Sequence, residues 1–245
     1  MPFCKHYYFS DILSLTKNTM HCGNNELVRL DNYSLAPIGK GHGLEPFDFV
    51  LMTGDSVSLD SDSSDDASLF LRALATLEVP RQGTFFYKKR MLDFSDYRNL
   101  LHYKRKVGYV CSDAGLISNT SLYDNLMYMR YYFENDMSIT MSEEILELCR
   151  IFKLEEYLAL RPAHLSPESK RLAIIVREIA KGPELFIIER PRDFLRDKSF
   201  ETLKTVLRSL REKGLSTVFF SKDEEYIREF SSRKILIKEG KFIQV

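Results

Sequence analysis

Along most of the chain, short apolar runs alternate with amphipathic stretches of helical period. Residues 47–52, Lys106-Val-Gly-Tyr-Val-Cys111, Glu184-Leu-Phe-Ile-Ile-Glu189 and Ser216-Thr-Val-Phe-Phe-Ser221 are nearly continuous apolar runs. That is the pattern of strands covered on both faces. Gly83-Thr-Phe-Phe-Tyr-Lys88 predicts a further strand, and Leu27 to Leu35 alternates as a half-exposed strand does. Two last strands, 234–238 and 241–245, flank Glu239-Gly240. Helices are predicted over 69–77, from Ser166-Pro167-Glu168 to the stop at Gly182-Pro183, and over 198–213 before Gly214. The middle helix has an N-cap serine, proline at its first position and an acid in its first turn. From about 113 to 165 the pattern is helical throughout. Thr140-Met-Ser-Glu143 is a capping box opening a helix with Ile145, Leu148, Ile151, Phe152 and Tyr157 on one face. Strands alternating with helices predict an α/β fold on a mainly parallel, covered sheet. An antiparallel β subdomain is expected at the N-terminal end and a helical subdomain over 113–170. No linker divides 1–245 into independent domains.

Bulk numbers narrow the function. Lys plus Arg equals Asp plus Glu at 35 each, so bulk electrostatics gives no pull toward nucleic acid. No apolar run is long enough for a membrane span, and the first residues lack the apolar core of a signal peptide. The four cysteines show no paired spacing, which suits a reducing, cytosolic compartment. Cys4, His6, His21 and Cys22 are possible zinc ligands. The adjacent His-Cys pair serves one tetrahedral ion poorly, so no metal site is expected.

The chemically informative stretch follows Gly54. Asp55-Ser-Val-Ser-Leu-Asp60-Ser-Asp62-Ser-Ser-Asp65-Asp66-Ala67-Ser68 runs into a predicted helix, in the strand–loop–helix order of a phosphate-binding loop. Such a loop ends in Gly-Lys-Ser/Thr, the lysine reaching the phosphates. Asp66-Ala67-Ser68 stands in that place, and there is no Lys or Arg from Gly54 to Leu71. Ala67 follows Gly54 by thirteen residues where the pattern has six, which implies about seven extra loop residues. The acids are expected to repel phosphate. Asp65, Asp66 and Glu168 are expected to satisfy helix starts that phosphate otherwise satisfies.

Read in order, the pieces resemble the nucleotide-binding subunit of an ABC transporter over residues 27 to 245. The likeness is carried by Leu71-Arg-Ala-Leu-Ala-Thr-Leu77 with Pro80 and Gly83, and by Val107-Gly-Tyr-Val-Cys-Ser-Asp113 with Gly115-Leu-Ile and Leu122-Tyr-Asp-Asn-Leu126. Leu165-Ser166 with Arg171, Arg177, Ile179-Ala180 and Pro183 completes it. Asp113-Ala-Gly-Leu-Ile is also similar to ATPases of Mce-type lipid transporters. The resemblance implies a P-loop NTPase (RecA-like) core.

Carried over position by position, the resemblance also implies lost chemistry. The P-loop lysine is Ala67, with Gly54 and Ser68 as vestiges. The Q-loop glutamine falls at Ser112. The signature reads Leu165-Ser166-Pro167-Glu168-Ser169, with Ser166 retained and both glycines gone. The metal-holding aspartate is Glu189, the catalytic carboxylate is Arg190, which accepts no proton, and the switch histidine is Lys222.

The resemblance therefore implies a pseudo-ATPase with no bound cofactor, in a structural or regulatory role in a membrane transport complex. Its partners would be a transmembrane permease and a second cassette, identical or different. It would sit in the cytoplasm, peripheral to the inner membrane. Tyr123, Met127 and Tyr128 are candidates for the permease-docking surface. Two alternatives stand beside this reading: a residual ATPase using ATP and Mg²⁺, and a soluble adaptor no longer tied to transport.

Overall fold

The computed structural model describes residues 25–244. In chain order it begins with β1 (Glu26–Leu35), β2 (Leu44–Met52), β3 (Ser56–Ser61), α1 (Ser64–Leu74), β4 (Gln82–Tyr87) and β5 (Arg90–Met91). Next come α2 (Leu101–Lys104), β6 (Val107–Val110), α3 (Leu122–Glu134), α4 (Glu143–Ile151) and α5 (Pro167–Ile179). The chain closes with β7 (Leu185–Glu189), α6 (Asp197–Glu212), β8 (Ser216–Phe220), α7 (Glu224–Phe230), β9 (Arg233–Lys238) and β10 (Lys241–Gln244). The possible zinc ligands Cys4, His6, His21 and Cys22 lie outside the described residues.

Two sheets organise the molecule. One is antiparallel, in the order β2-β1-β4-β5; the other is mixed, in the order β10-β9-β3-β8-β7-β6. In the mixed sheet only the β9–β10 hairpin is antiparallel. The continuous apolar runs have a simple cause: both faces of this sheet are covered. Leu185 and Ile187 of β7 point into a core shared with α1 and the antiparallel sheet. Phe186 and Ile188 point into a second core with α3, α4, α5 and α6. Helix α1 is sandwiched between the two sheets, burying Leu69, Phe70, Leu71, Ala73 and Leu74.

Three local expectations are corrected. The strand read over 47–52 belongs to β2 and pairs with β1, so it does not lead into the phosphate-loop helix. That strand is β3, buried between β8 and β9. Gly54 sits in the turn between β2 and β3 at φ +84°, and the loop carries no extra residues. Ser61, six residues before Ala67, holds the place of the first loop glycine, and Asp66 that of the second. Lastly, α4 ends at Ile151, and its N-cap is Ser142 rather than Thr140, with Tyr157 in a separate 3₁₀ turn.

Candidate functional site

Four chain segments converge at the carboxyl ends of β3, β6, β7 and β8, the edge where open α/β sheets bind ligands. At the start of α1, Ser63 is the N-cap and its Oγ accepts from Asp66 N at 3.3 Å. The helix start is thus capped locally. The acids do something other than cap it, which corrects the sequence expectation. Asp65 Oδ2 accepts from Lys40 N at 2.7 Å. Asp66 is fully buried; its Oδ1 accepts from Gly43 N and its Oδ2 meets His42 Nδ1, both at 3.0 Å. That hydrogen bond raises the His42 pKa above its ordinary value. The loop 39–43 is drawn against the helix start so closely that a Cβ on Gly39 would lie 2.5 Å from Asp65 Oδ2. One on Gly41 would lie 2.4 Å from Asp66 Oδ1. Ala67 is fully buried in the core between the sheets.

Glu189, at the end of β7, is the hub of the site. It is buried, and its Oε1 accepts from Ser68 Oγ at 3.0 Å and from the Tyr109 hydroxyl. Its Oε2 accepts from Ser112 N at 3.2 Å. Three positions singled out in the sequence, Ser68, Ser112 and Glu189, therefore meet in space. Tyr109 was missed. Its signal was a polar-tipped ring in a buried strand, which needs a partner for its hydroxyl. Burial, with the Glu189 charge beside it, pushes the Tyr109 phenol far above its usual pKa. Burial beside Asp113 likewise pushes the Cys111 thiol up to about 11, so neither group titrates near neutrality.

Arg171 holds the frame around this hub. Its guanidinium is buried and donates to Cys111 O at 2.7 Å and to Glu189 O at 2.5 Å, tying the ends of β6 and β7 together. Ser166 caps α5, its Oγ accepting from Ser169 N at 3.0 Å. Glu168 does not serve its own helix start, which corrects that expectation. It accepts from Arg196 N at 3.0 Å and Arg196 Nε at 2.6 Å, satisfying the start of α6. Arg190 and Lys222 lie apart from the hub, lining a cleft of about 370 Å³ with Arg192, Asp193, Ser221 and Asp223. Arg190 takes φ +46°, its N donating to Phe220 O at 2.7 Å.

The chain overlays the post-hydrolysis dimer of an ATP-binding cassette bound to ADP and Pi with a TM-score of 0.75, covering 89% of this chain and 98% of that one. The fold is that of an ABC ATPase cassette. Sequence identity in that overlay is 24%, so it speaks for the fold alone. No family model matches the chain. By sequence the cassette is 26% identical over 225 residues to the Fe(3+) ions import ATP-binding protein FbpC 2 of Haemophilus influenzae, 91% of this chain and 62% of the relative. It is 26% identical over 222 residues to the sulfate/thiosulfate import ATP-binding protein CysA of Vibrio cholerae, 89% of this chain and 57% of the relative. The chain thus spans about three-fifths of the length of these curated relatives.

The first turn of α1 offers carboxylates and a bonded loop where a P-loop offers glycine amides and lysine. No group of three or more His, Cys, Asp or Glu side chains that could hold a metal ion forms among the described residues.

The three docking candidates differ in burial. Met127 is fully buried in the second core. Tyr123 packs against that core, its hydroxyl accepting from Met141 N at 2.9 Å, and Tyr128 is half-buried against Tyr131. None is an exposed anchor. The exposed aromatics nearby are Tyr97 and Tyr132, whose hydroxyls meet. They lie near a cleft of about 190 Å³ bordered by Arg105, Leu126, Met129, Arg130, Phe133 and Arg177.

Proposed function

We propose that this chain is the cassette subunit of a membrane import complex and has given up nucleotide chemistry for a structural or regulatory role. The observation that carries this is the start of α1: a buried alanine in place of the lysine, and two carboxylates fastened to the loop above it. Arg190 at the position of the catalytic carboxylate supports the same reading, since a guanidinium accepts no proton. The relatives' import function supports the class of complex. None of the relatives named above transports lipid, so the likeness to lipid-transport ATPases draws no support from them. No helix among the described residues is long and apolar enough to cross a membrane, so membrane attachment would come through a permease. Its docking groove would be the cleft between α3 and α5, with Tyr97 and Tyr132 as exposed anchors, aromatics being enriched at such contacts. A second cassette, the same chain or another, would complete the complex. The test is affinity purification from native membranes. A co-purifying permease is expected; recovery without any integral membrane partner contradicts the reading.

A second reading, a residual ATPase, is favoured by two observations. The relatives named above are both ATP-binding proteins, and Ser68, Ser112 and Glu189 still meet in one place. Nucleotide-dependent phosphate release that disappears on Glu189→Gln would establish it. Absence of turnover leaves the first reading.

A further inference from the structure

The loop 39–43 is clasped from two sides. On the α1 side, Asp65 Oδ2 accepts from Lys40 N at 2.7 Å, while Asp66 accepts from Gly43 N and meets His42 Nδ1, both at 3.0 Å. On the other side sits the β9–β10 turn, Glu239-Gly240. Gly240 O accepts from Glu45 N at 2.9 Å. A Cβ on Gly240 would lie 3.0 Å from Gly43 O and 3.3 Å from the His42 Cβ. The turn is also tied to the stretch before α1, where Asp62 Oδ2 accepts from Glu239 N at 3.2 Å. Three segments far apart in the chain therefore close on one another: loop 39–43, residues 62–66 and turn 239–240.

His42 stands where the three meet, and its side chain is 53% exposed, so it exchanges its proton with solvent. The charges acting on it come from each packed element: Asp66 in α1, Asp62 before α1 and Glu239 in the turn. All three are carboxylates. Asp65 adds a further carboxylate on the α1 side, and Lys40, exposed, adds a cation on the loop itself. Protonated His42 places a positive charge among these acids. Without its proton, Asp62, Asp66 and Glu239 repel one another across the three segments. Exposed charge pairs are individually weak. Surface loops, however, open at the low end of a protein's stability range, so a small bias moves them. Gly39 and Gly43, at φ +52° and φ +80°, end the loop and serve as its hinges, since glycine changes backbone region without steric cost.

We propose that loop 39–43 is a proton-gated lid over the start of α1: protonated His42 clasps the loop and the β9–β10 turn to residues 62–66, and loss of that proton releases both together. The lid controls access to this end of α1 whether or not nucleotide binds there, so it does not depend on the function proposed above. The sign follows from linkage. The hydrogen bond to Asp66 and the surrounding carboxylates raise the pKa of His42 in the folded chain. The closed form is therefore favoured at low pH and lost as pH rises through the raised value.

Amide exchange of the full chain, corrected for intrinsic rates, would be followed between about pH 5 and 8, the range in which histidine titrates. The His42 ring would be titrated by NMR in parallel. Exchange at 39–43 and at 239–241 should rise together, with a midpoint matching that of His42. Two variants separate a three-part clasp from a local loop effect. His42→Gln should lose the pH step and exchange fast throughout. Asp62→Asn with Glu239→Gln, which keeps an acceptor for the Glu239 amide, should lose the step and exchange slowly throughout. A 239–241 segment that does not respond, a midpoint away from that of His42, or variants that settle at the same level would each overturn the proposal.

Discussion

The Ser68 hydroxyl donates to the buried Glu189 carboxylate at 3.0 Å, joining the first turns of α1 to the end of β7. Tyr109 and Ser112 donate to the same carboxylate. The buried carboxylate is therefore satisfied by three of the chain's own donors. Replacing Glu189 by alanine leaves three donors facing an emptied, buried space. The expected loss is roughly 2–4 kcal/mol of stability, read from urea unfolding midpoints. Glu189→Gln keeps an acceptor and should cost less than half as much. Equal losses in the two variants would mean that packing, not the acceptor, matters.

Arg171 offers a second check. Its guanidinium serves carbonyls at the ends of both β6 and β7. Arg171→Ala should cost about 2–3 kcal/mol, because buried carbonyls lose their donor. Arg171→Lys should recover little, since an ammonium lacks the planar fork that reaches both carbonyls. Chemical denaturation of the two variants decides it.

His42 makes the loop over α1 sensitive to pH. Its pKa is raised above the ordinary 6.5, first by the hydrogen bond to Asp66, against some desolvation, with further help from the charges of Asp66, Asp62 and Glu239. A raised folded-state pKa means that the stabilisation is fully present below about 6.5 and is lost as pH rises through the shifted value. Amide exchange at residues 39–43, corrected for intrinsic rates, should therefore speed up with rising pH across that window. His42→Gln should flatten the dependence. A loop that tightens with rising pH would contradict the sign.

Restoring the lysine should not by itself restore binding. Ala67→Lys alone puts an ammonium into a fully buried position between two sheets. It should lower the unfolding midpoint and bind no ATP detectably. Adding Asp65→Asn and Asp66→Asn removes both carboxylates, which the proposed function has keeping phosphate out, and weakens their hold on Lys40, His42 and Gly43. Measurable ATP binding by calorimetry is expected only in the triple variant. If the triple variant is folded and still silent, the acids are not what keeps nucleotide out.

The apolar strands β6, β7 and β8 were legible because both faces of their sheet are covered, which leaves nearly continuous apolar runs. The start of α5 was legible because Ser166-Pro167 is a cap written in sequence. Strand β3 was not. Its sequence, Ser-Val-Ser-Leu-Asp-Ser, reads as loop, yet Ser56 and Ser58 are buried. They are tolerated because Ser56 Oγ meets Thr217 Oγ1 at 2.6 Å and Ser58 Oγ accepts from Ser231 Oγ at 2.8 Å. Those partners are more than 160 residues away in the chain, so no local pattern reveals them. Missing β3 shifted the apparent loop start to Gly54. Helix α7 was also missed, although Asp223 supplies a cap, its Oδ1 accepting from Tyr226 N at 3.0 Å. At the site, residue identities told which chemistry was absent, but not that Asp65 and Asp66 would turn toward residues 40–43. The Tyr- and Met-rich stretch of α3 misled in the other direction, since its Met127 lies in the core.

The central claim is that this cassette does not take up nucleotide. A calorimetric titration of the full chain with ATP and Mg²⁺ tests it most directly. The account predicts no saturable heat up to about 1 mM nucleotide, which corresponds to binding weaker than roughly 4 kcal/mol. A saturable isotherm with a Kd near 1 μM, about 8 kcal/mol, would contradict it and establish the residual ATP-binding reading.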